Sequence, residues 1–243
     1  MLEYWHRGSH QTPRYNEAMH LSIIIPALNE AAHIADTLVP LQAMRARGAE
    51  IILVDGGSAD ATTQAATPWV DRIIDRDPGR ARQMNAGAAI AHGDALLFLH
   101  ADSQLRNDAD QLIANALSAP GTVWGRFNVA ICGAHVMLPV IAWFMNHRSC
   151  LTGFATGDQG IFVTRAAFER VGGFPDQPLM EDIELCARLK KISSPVCLTE
   201  RIITSGRRWE KHGVWQTIML MWWLRLRYSM GATPEQIHRA YYK

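Results

Sequence analysis

LSIIIPALNE (residues 21–30) decides how the chain is read: an apolar run rich in isoleucine, broken at Pro26, then the polar pair Asn29-Glu30. Three successive isoleucines fit a strand buried on both faces, because a half-exposed strand would alternate polar and apolar residues. Asn29 reads as the cap of a following helix, in which Ile34, Leu38 and Leu41 share one face and Pro40 kinks or ends the run. The unit then recurs. EIILVD (50–55) reads as the second strand with Gly56-Gly57-Ser58 as its turn, and Val70–Ile74 as a short third strand. A helix over 80–91 and ALLFLH (95–100) as a fourth strand follow. Apolar strands alternating with amphipathic helices predict an α/β fold with a mostly parallel central sheet flanked by helices.

The second half is less regular. Strands are expected at Val123–Ile131 and Gly160–Val163, and helices at 108–117, 166–171, 181–191, 213–228 and 234–241. No repeat or linker interrupts residues 19–243, which read as one domain. Residues 1–18 carry no clear period and precede a second methionine, Met19; they read as a disordered leader or a cloning remnant.

Composition narrows the function. With 48% hydrophobic and 19% charged residues the chain is a folded globular protein. A formal charge of +1 provides no global field for nucleic acid, which is not expected as a partner. The four cysteines show neither C-x-x-C spacing nor a His/Cys zinc cluster, and read as reduced thiols of a cytoplasmic protein. Val129–Met145 and 214–228 are strongly apolar, yet both fall short of the roughly 20 uninterrupted apolar residues of a membrane span. The first reads as a buried helix or dimer face. The second carries Trp222-Trp223 beside Arg225 and Arg227, which leaves a homodimer contact and peripheral contact with the inner face of the membrane both open.

In an open parallel sheet, ligands bind at the carboxyl ends of the strands. Pro26 to Glu30, Asp55, and His100-Ala101-Asp102 stand at three such ends. Singly, they are explained as a helix start, a turn and a cap; together they share one rim. A carboxylate after the second strand can accept hydrogen bonds from a nucleoside, and one after the fourth can hold a divalent ion. The stretch Gly79–Gly87 offers Arg80 and Arg82 at a helix N-terminus, where anions are favoured. Glu181-Asp182 opens another helix, either compensating its dipole or acting as a general base. Arg207-Arg208-Trp209 adds two cations and an aromatic platform.

The ordered set SIIIPALNE, VDGGSAD, GRARQMNAGA, FLHADS, GDQGIF, GGFP, EDIEL and RRW resembles the family 2 glycosyltransferases of GT-A fold. It is most similar to a small, stand-alone bacterial branch described as associated with radical-SAM and selenium-related genes. The resemblance implies an inverting transferase, hexosyltransferase in type, that takes a sugar from a UDP- or GDP-linked donor with Mn²⁺ or Mg²⁺. It implies that Pro26, Glu30 and Asp55 line the nucleoside pocket and that Arg80 faces the diphosphate. By the same likeness Asp102, with His100, stands at the metal motif, Asp182 is the catalytic base with Glu181 beside it, and Arg208-Trp209 matches the end of a Q-x-x-R-W motif. On this reading 21–103 is the nucleotide half, 104–212 the acceptor half and 213–243 a helical extension. His100 replaces the first aspartate of the metal motif, and Thr204-Ser205-Gly206 precedes Arg207 where the family has glutamine. The second departure favours a single transfer, to a small or lipid-linked acceptor, over processive synthesis. A dinucleotide or S-adenosylmethionine enzyme would need a glycine-rich turn after the first strand, where this chain has Pro-Ala-Leu-Asn-Glu. A non-catalytic binder of the same fold is the remaining rival, and His100 is its support.

Overall fold

The computed structural model describes residues 19–241, with the side chains of Arg208 and His212 outside the description; the leader expected over 1–18 lies outside the described residues. The strands are β1 (Leu21–Ala27), β2 (Glu50–Asp55), β3 (Arg72–Asp75), β4 (Ala95–Phe98), β5 (Ser103–Gln104), β6 (Trp124–Cys132), β7 (Ile161–Thr164) and β8 (Val196–Ser205). They form one sheet in the order β3-β2-β1-β4-β7-β6-β8-β5. The helices are α1 (Ile34–Leu38), α2 (Gln42–Arg45), α3 (Thr62–Ala66), α4 (Arg80–Ile90), α5 (Ala109–Leu117) and α6 (Leu138–Thr152). After them come α7 (Arg165–Arg170), α8 (Glu181–Leu189), α9 (Arg207–His212), α10 (Val214–Ser229) and α11 (Pro234–Tyr241).

Strands β1 to β4 pair in parallel, whereas β7 runs antiparallel to both β4 and β6, and β6 and β8 are parallel again. The run of isoleucines in β1 has the reason expected of it. Ile23 and Ile25 pack into a core with α1, α2 and α5, while Ile24 between them faces the other core, under α4, α7 and α8. Both faces are dry, so period-two alternation vanishes from the sequence. Helix α4 lies close on the second face, since a Cβ on Gly87 would stand 2.5 Å from Ile24 Cγ2. That contact aims the N-terminus of α4 at the carboxyl edge of the parallel strands.

Two expectations need correction, and one strand was not expected. Asn29 does not cap a helix: it adopts a left-handed conformation (φ 55°), and α1 starts later, at Ile34. Its side chain instead accepts a hydrogen bond from Ala59 N, tying the loop after β1 to the loop after β2. The apolar segment 129–145 is not one element, because β6 ends at Cys132 and α6 runs on through polar residues to Thr152. Asn146 in that polar half clasps β6, accepting from Val129 N and donating to Val129 O. The ten-residue strand β8 was not foreseen at all. All four cysteines are free, and no described helix is long and apolar enough to cross a membrane.

Candidate active site

The loops at the carboxyl ends of β1, β2 and β4 are fixed by their own polar groups. Asp55 Oδ2 accepts from Gly57 N and Ser58 N, and Oδ1 accepts from Ser58 Oγ. Ser58 Oγ in turn accepts from Asn29 N, and Thr62 Oγ1 from Glu30 N. Gln83 of α4 donates through Nε2 to Ala27 O and Val54 O, joining the ends of β1 and β2. After β4, Thr37 Oγ1 donates to Ala101 O, and Ser103 N to His100 O, holding His100 and Asp102 in a tight turn.

Two cavities open on this rim. The larger, about 730 Å³, is lined by Pro26, Glu30, Asp102, the N-terminal turn of α4, and Arg207. Its volume lies within the roughly 300–1,000 Å³ of small-ligand pockets. The smaller, about 180 Å³, lies against Thr156 to Asp158, the start of α8 and the inner side of α10. Arg80, His100, Asp102 and Glu181 line both, so the cavities meet there. Among the expected site residues with described side chains, only Asp55 lines neither cavity; it is buried, and its oxygens serve its own turn. The side chain of Arg208 lies outside the described residues. Trp209 borders the smaller cavity.

The two acids at the start of α8 differ. Asp182 Oδ2 accepts from Gly157 N and Oδ1 from Ile183 N, which fixes the carboxylate at the chamber wall. Glu181 is 7% exposed, and burial, with the neighbouring Asp182 charge next, pushes its carboxyl up to about 7. The backbone just before them is strained: Met180 is left-handed, with φ 66°, a conformation disfavoured for a long side chain. His100 donates through Nδ1 to Asp158 Oδ1 at 3.0 Å. Its Nε2 lies so close to Gly157 that a Cβ there would stand 2.3 Å from it.

Sequence reasoning named Arg207 only as one of two cations and did not place α10 at the site. Arg207 donates to Glu30 and stands 3.5 Å from Asp102 Oδ2, at the wall of the larger cavity. Helix α10 sends Thr217, Met221 and Arg225, spaced by four, into the smaller chamber. Burial pulls the Arg225 guanidinium below its ordinary range against the charges of Asp182 and Asp158, and its Nε has no hydrogen-bond partner among the described residues. The spacing of these three was legible; that this face, rather than the apolar remainder, turns inward was not.

Residues 22–168 match the family described as "Glycosyl transferase family 2". The chain belongs to that family. It is 27% identical over 252 residues to a "Probable glycosyltransferase YdaM" of Bacillus subtilis (strain 168), covering 90% of this chain and 57% of that one. It is 29% identical over 240 residues, 91% of this chain and 89% of the other, to an "Uncharacterized glycosyltransferase" of Mycobacterium tuberculosis (strain CDC 1551 / Oshkosh). The match thus spans little more than half the length of the Bacillus relative. Among solved structures, S. aureus TarS 1-349 in complex with UDP superposes with a TM-score of 0.63 at 15% identity, over 77% of this chain and 60% of that one. A mannosyltransferase from Pyrobaculum calidifontis in complex with GDP-Man and Mn2+ superposes with a TM-score of 0.58 at 20% identity, over 77% and 57% of the two chains. The mixed α/β fold of this family 2 chain is therefore the GT-A fold.

Whether this family 2 site suits a divalent cation can be judged from its donor atoms. Among the described residues no group of three or more His, Cys, Asp or Glu side chains forms a self-sufficient cation cage. Asp102 offers a partly exposed carboxylate to both cavities. Such a set fits an ion whose shell is completed by substrate phosphates and water, the usual habit of Mg²⁺. His100 can join only if its ring turns away from Gly157.

Proposed function

We propose that this chain moves a hexose from a UDP- or GDP-linked donor to a small or lipid-linked acceptor, inverting the anomeric centre in one displacement, once per encounter. The observation that carries this reading is the meeting of the two cavities at Arg80, His100, Asp102 and Glu181. The larger would take the nucleoside diphosphate and the smaller the acceptor, so the anomeric carbon would sit between them. On this division 21–103 supplies the donor half, 104–212 the acceptor half and 213–243 the cover. The ligands of the superposable structures, UDP, GDP-Man and Mn2+, support the donor class and the metal. The order of motifs supports the small radical-SAM-associated branch, and the missing glutamine before Arg207-Arg208-Trp209 supports single transfer.

Pro26 and Glu30 would border the nucleoside, with Asp55 acting through the loop it orders. Arg80 and the N–H groups opening α4, which no side chain caps, would face the diphosphate. Mn²⁺ or Mg²⁺ held by Asp102 and the phosphates would supply further positive charge to the leaving group. Asp182 would accept the acceptor's proton as its oxygen bonds to the anomeric carbon. The bond from that carbon to the diphosphate breaks at the same time, and the charge released is met by Arg80. Glu181, at the junction, would orient donor and base.

A thermal-shift screen of UDP, GDP and their sugar conjugates, with and without Mn²⁺, tests the reading, since a ligand that binds the folded state raises its melting point. One nucleotide should stabilise the chain in a Mn²⁺-dependent way, and Asp102→Ala should lose that dependence. Equal stabilisation without metal removes the metal from the reading. Stabilisation by a nicotinamide dinucleotide or S-adenosylmethionine alone overturns it.

A further inference from the structure

Helix α10 has faces with different neighbours. Thr217, Met221 and Arg225 line the chamber, and Val214 and Ile218 pack on Leu138 and Ile141 of α6. A third face, Leu220, Leu224 and Tyr228, packs with Met180 and with Ile237 of α11. Trp215, Met219, Trp222, Trp223, Leu226 and Met230 are exposed, Trp222 at 73% and Trp215 at 64%. At 100° per residue these six occupy one stripe about 100° wide, opposite the chamber and beside the α6 seam. Helix α6 repeats the arrangement, with Val140, Trp143, Phe144 and Leu151 exposed and Leu138 and Ile141 turned inward. The two helices are tied together through Leu138, Ile141, Val214 and Ile218, and each presents an exposed apolar stripe. Exposed apolar surface of this extent marks an interaction site.

The charges around the stripes select the partner. Neither 111–157 nor 211–234 contains an aspartate or a glutamate. At the stripes stand Lys211 and Arg227 beside α10 and His147 on α6, whereas Arg225 is turned into the chamber and Arg148 is half-buried. Arg227 lies over the Trp223 ring, 5.0 Å from its centroid, and His147 stacks on Trp143 at 4.0 Å. Lys190 adds a cation at the end of α6, donating to Thr152 O and lying over Phe154. The nearest acid of the adjoining α9, Glu210, is engaged with Ala134 N. Tryptophans with cations at their edges and no carboxylate suit the headgroup layer of an anionic bilayer. A second copy presenting the same cationic surface would repel it.

We propose that the joined outer faces of α6 and α10 dock on an anionic lipid bilayer, lying in its surface without crossing it. Docking there places the smaller chamber one helix diameter, about 10–12 Å, from the lipid. The inference does not depend on the transferase reading.

Flotation of the full chain with vesicles tests it. Vesicles of phosphatidylcholine mixed with phosphatidylglycerol should carry the protein, in a salt-sensitive manner, and phosphatidylcholine alone should carry much less. Trp215→Glu/Trp222→Glu should lower binding to the anionic vesicles by about tenfold or more, with nucleotide binding by calorimetry unchanged. If that variant unfolds, the unmodified chain still decides the matter, because brominated lipid should quench its tryptophan fluorescence. A chain that stays unbound with anionic vesicles, a folded double variant that floats as well as its parent, or an absence of quenching overturns the proposal. So does a dimer by light scattering that buries these tryptophans and ignores vesicles. Absence of nucleotide binding by the unmodified chain, with its flotation intact, would count against the donor reading instead.

Discussion

Arg207 donates through Nη2 to both carboxylate oxygens of Glu30, at 2.5 and 2.8 Å, across 177 positions of chain. The same nitrogen is 3.5 Å from Asp102 Oδ2, so one guanidinium stands before two carboxylates of the larger cavity. A divalent cation approaching Asp102 meets a positive charge already in place. Arg207→Gln is therefore expected to raise Mn²⁺ affinity without nucleotide by about five- to tenfold, the Coulomb penalty being partly screened at this half-exposed position. Titration of free Mn²⁺ by electron paramagnetic resonance reads the change. Equal affinity in both proteins would mean that Arg207 does not guard the site.

Asp182 and Glu181 are separable by turnover. Asp182→Asn keeps the shape but removes the basicity, and its single amide oxygen can accept from only one of the two backbone N–H groups. Accordingly, kcat should fall by about 10²–10⁴-fold with donor affinity nearly constant. Glu181→Gln should instead alter donor affinity, because Glu181 lines both cavities. If Asp182→Asn turns over normally while Glu181→Gln does not, the roles are exchanged.

Stability should depend on pH through Glu181. Its carboxyl, ordinarily near 4.5, is raised to about 7 by burial and then by Asp182. The folded state therefore holds a proton that the unfolded chain has already released over this range. The stabilisation from that neutral carboxyl is complete below about 4.5 and is lost as pH rises through about 7. Urea unfolding of the metal-free protein across this window should show the loss, and Glu181→Gln should flatten it. A parent profile that already matches the variant would mean that Glu181 is not held neutral.

β1, β2 and β4 were readable because burial on both faces leaves uninterrupted apolar runs. β8 was not: Glu200 and Arg201 sit within VCLTERIITS, and only the pairing with β6 and β5 gives those residues a strand to belong to. α10 was readable as a helix but not as a wall of the site, since it is apolar nearly all round and the sequence does not mark which face is inward. Arg207 stood in the sequence only as one of two adjacent cations, and its pairing with Glu30, 177 positions away, is a tertiary contact that no local pattern displays. Asp55 was placed on the correct rim, yet its two oxygens are spent on Gly57 and Ser58, a local competition that a one-dimensional pattern does not display.

Gly157 and His100 should prove energetically coupled. A Cβ on Gly157 would stand 2.3 Å from His100 Nε2 and 2.7 Å from Cε1, well inside contact distance. The imidazole cannot simply swing away, because Nδ1 faces Asp158 at 3.0 Å and only 12% of the side chain is exposed. Gly157 also donates its N–H to Asp182 Oδ2, so a shift of the 157–159 turn would drag the proposed base with it. Gly157→Ala is expected to cost about 1–3 kcal/mol of stability, as overpacking of a tight site does. In a His100→Ala background the obstacle is gone, and the same substitution should cost far less. The coupling from the double-mutant cycle should be about 0.5–3 kcal/mol, read by urea unfolding of the four proteins. Activity should follow the same pattern, with Gly157→Ala depressing kcat more in the parent than in His100→Ala. Additive stabilities would mean that the ring and the turn do not touch in solution, and His100 would then be free to turn toward Asp102.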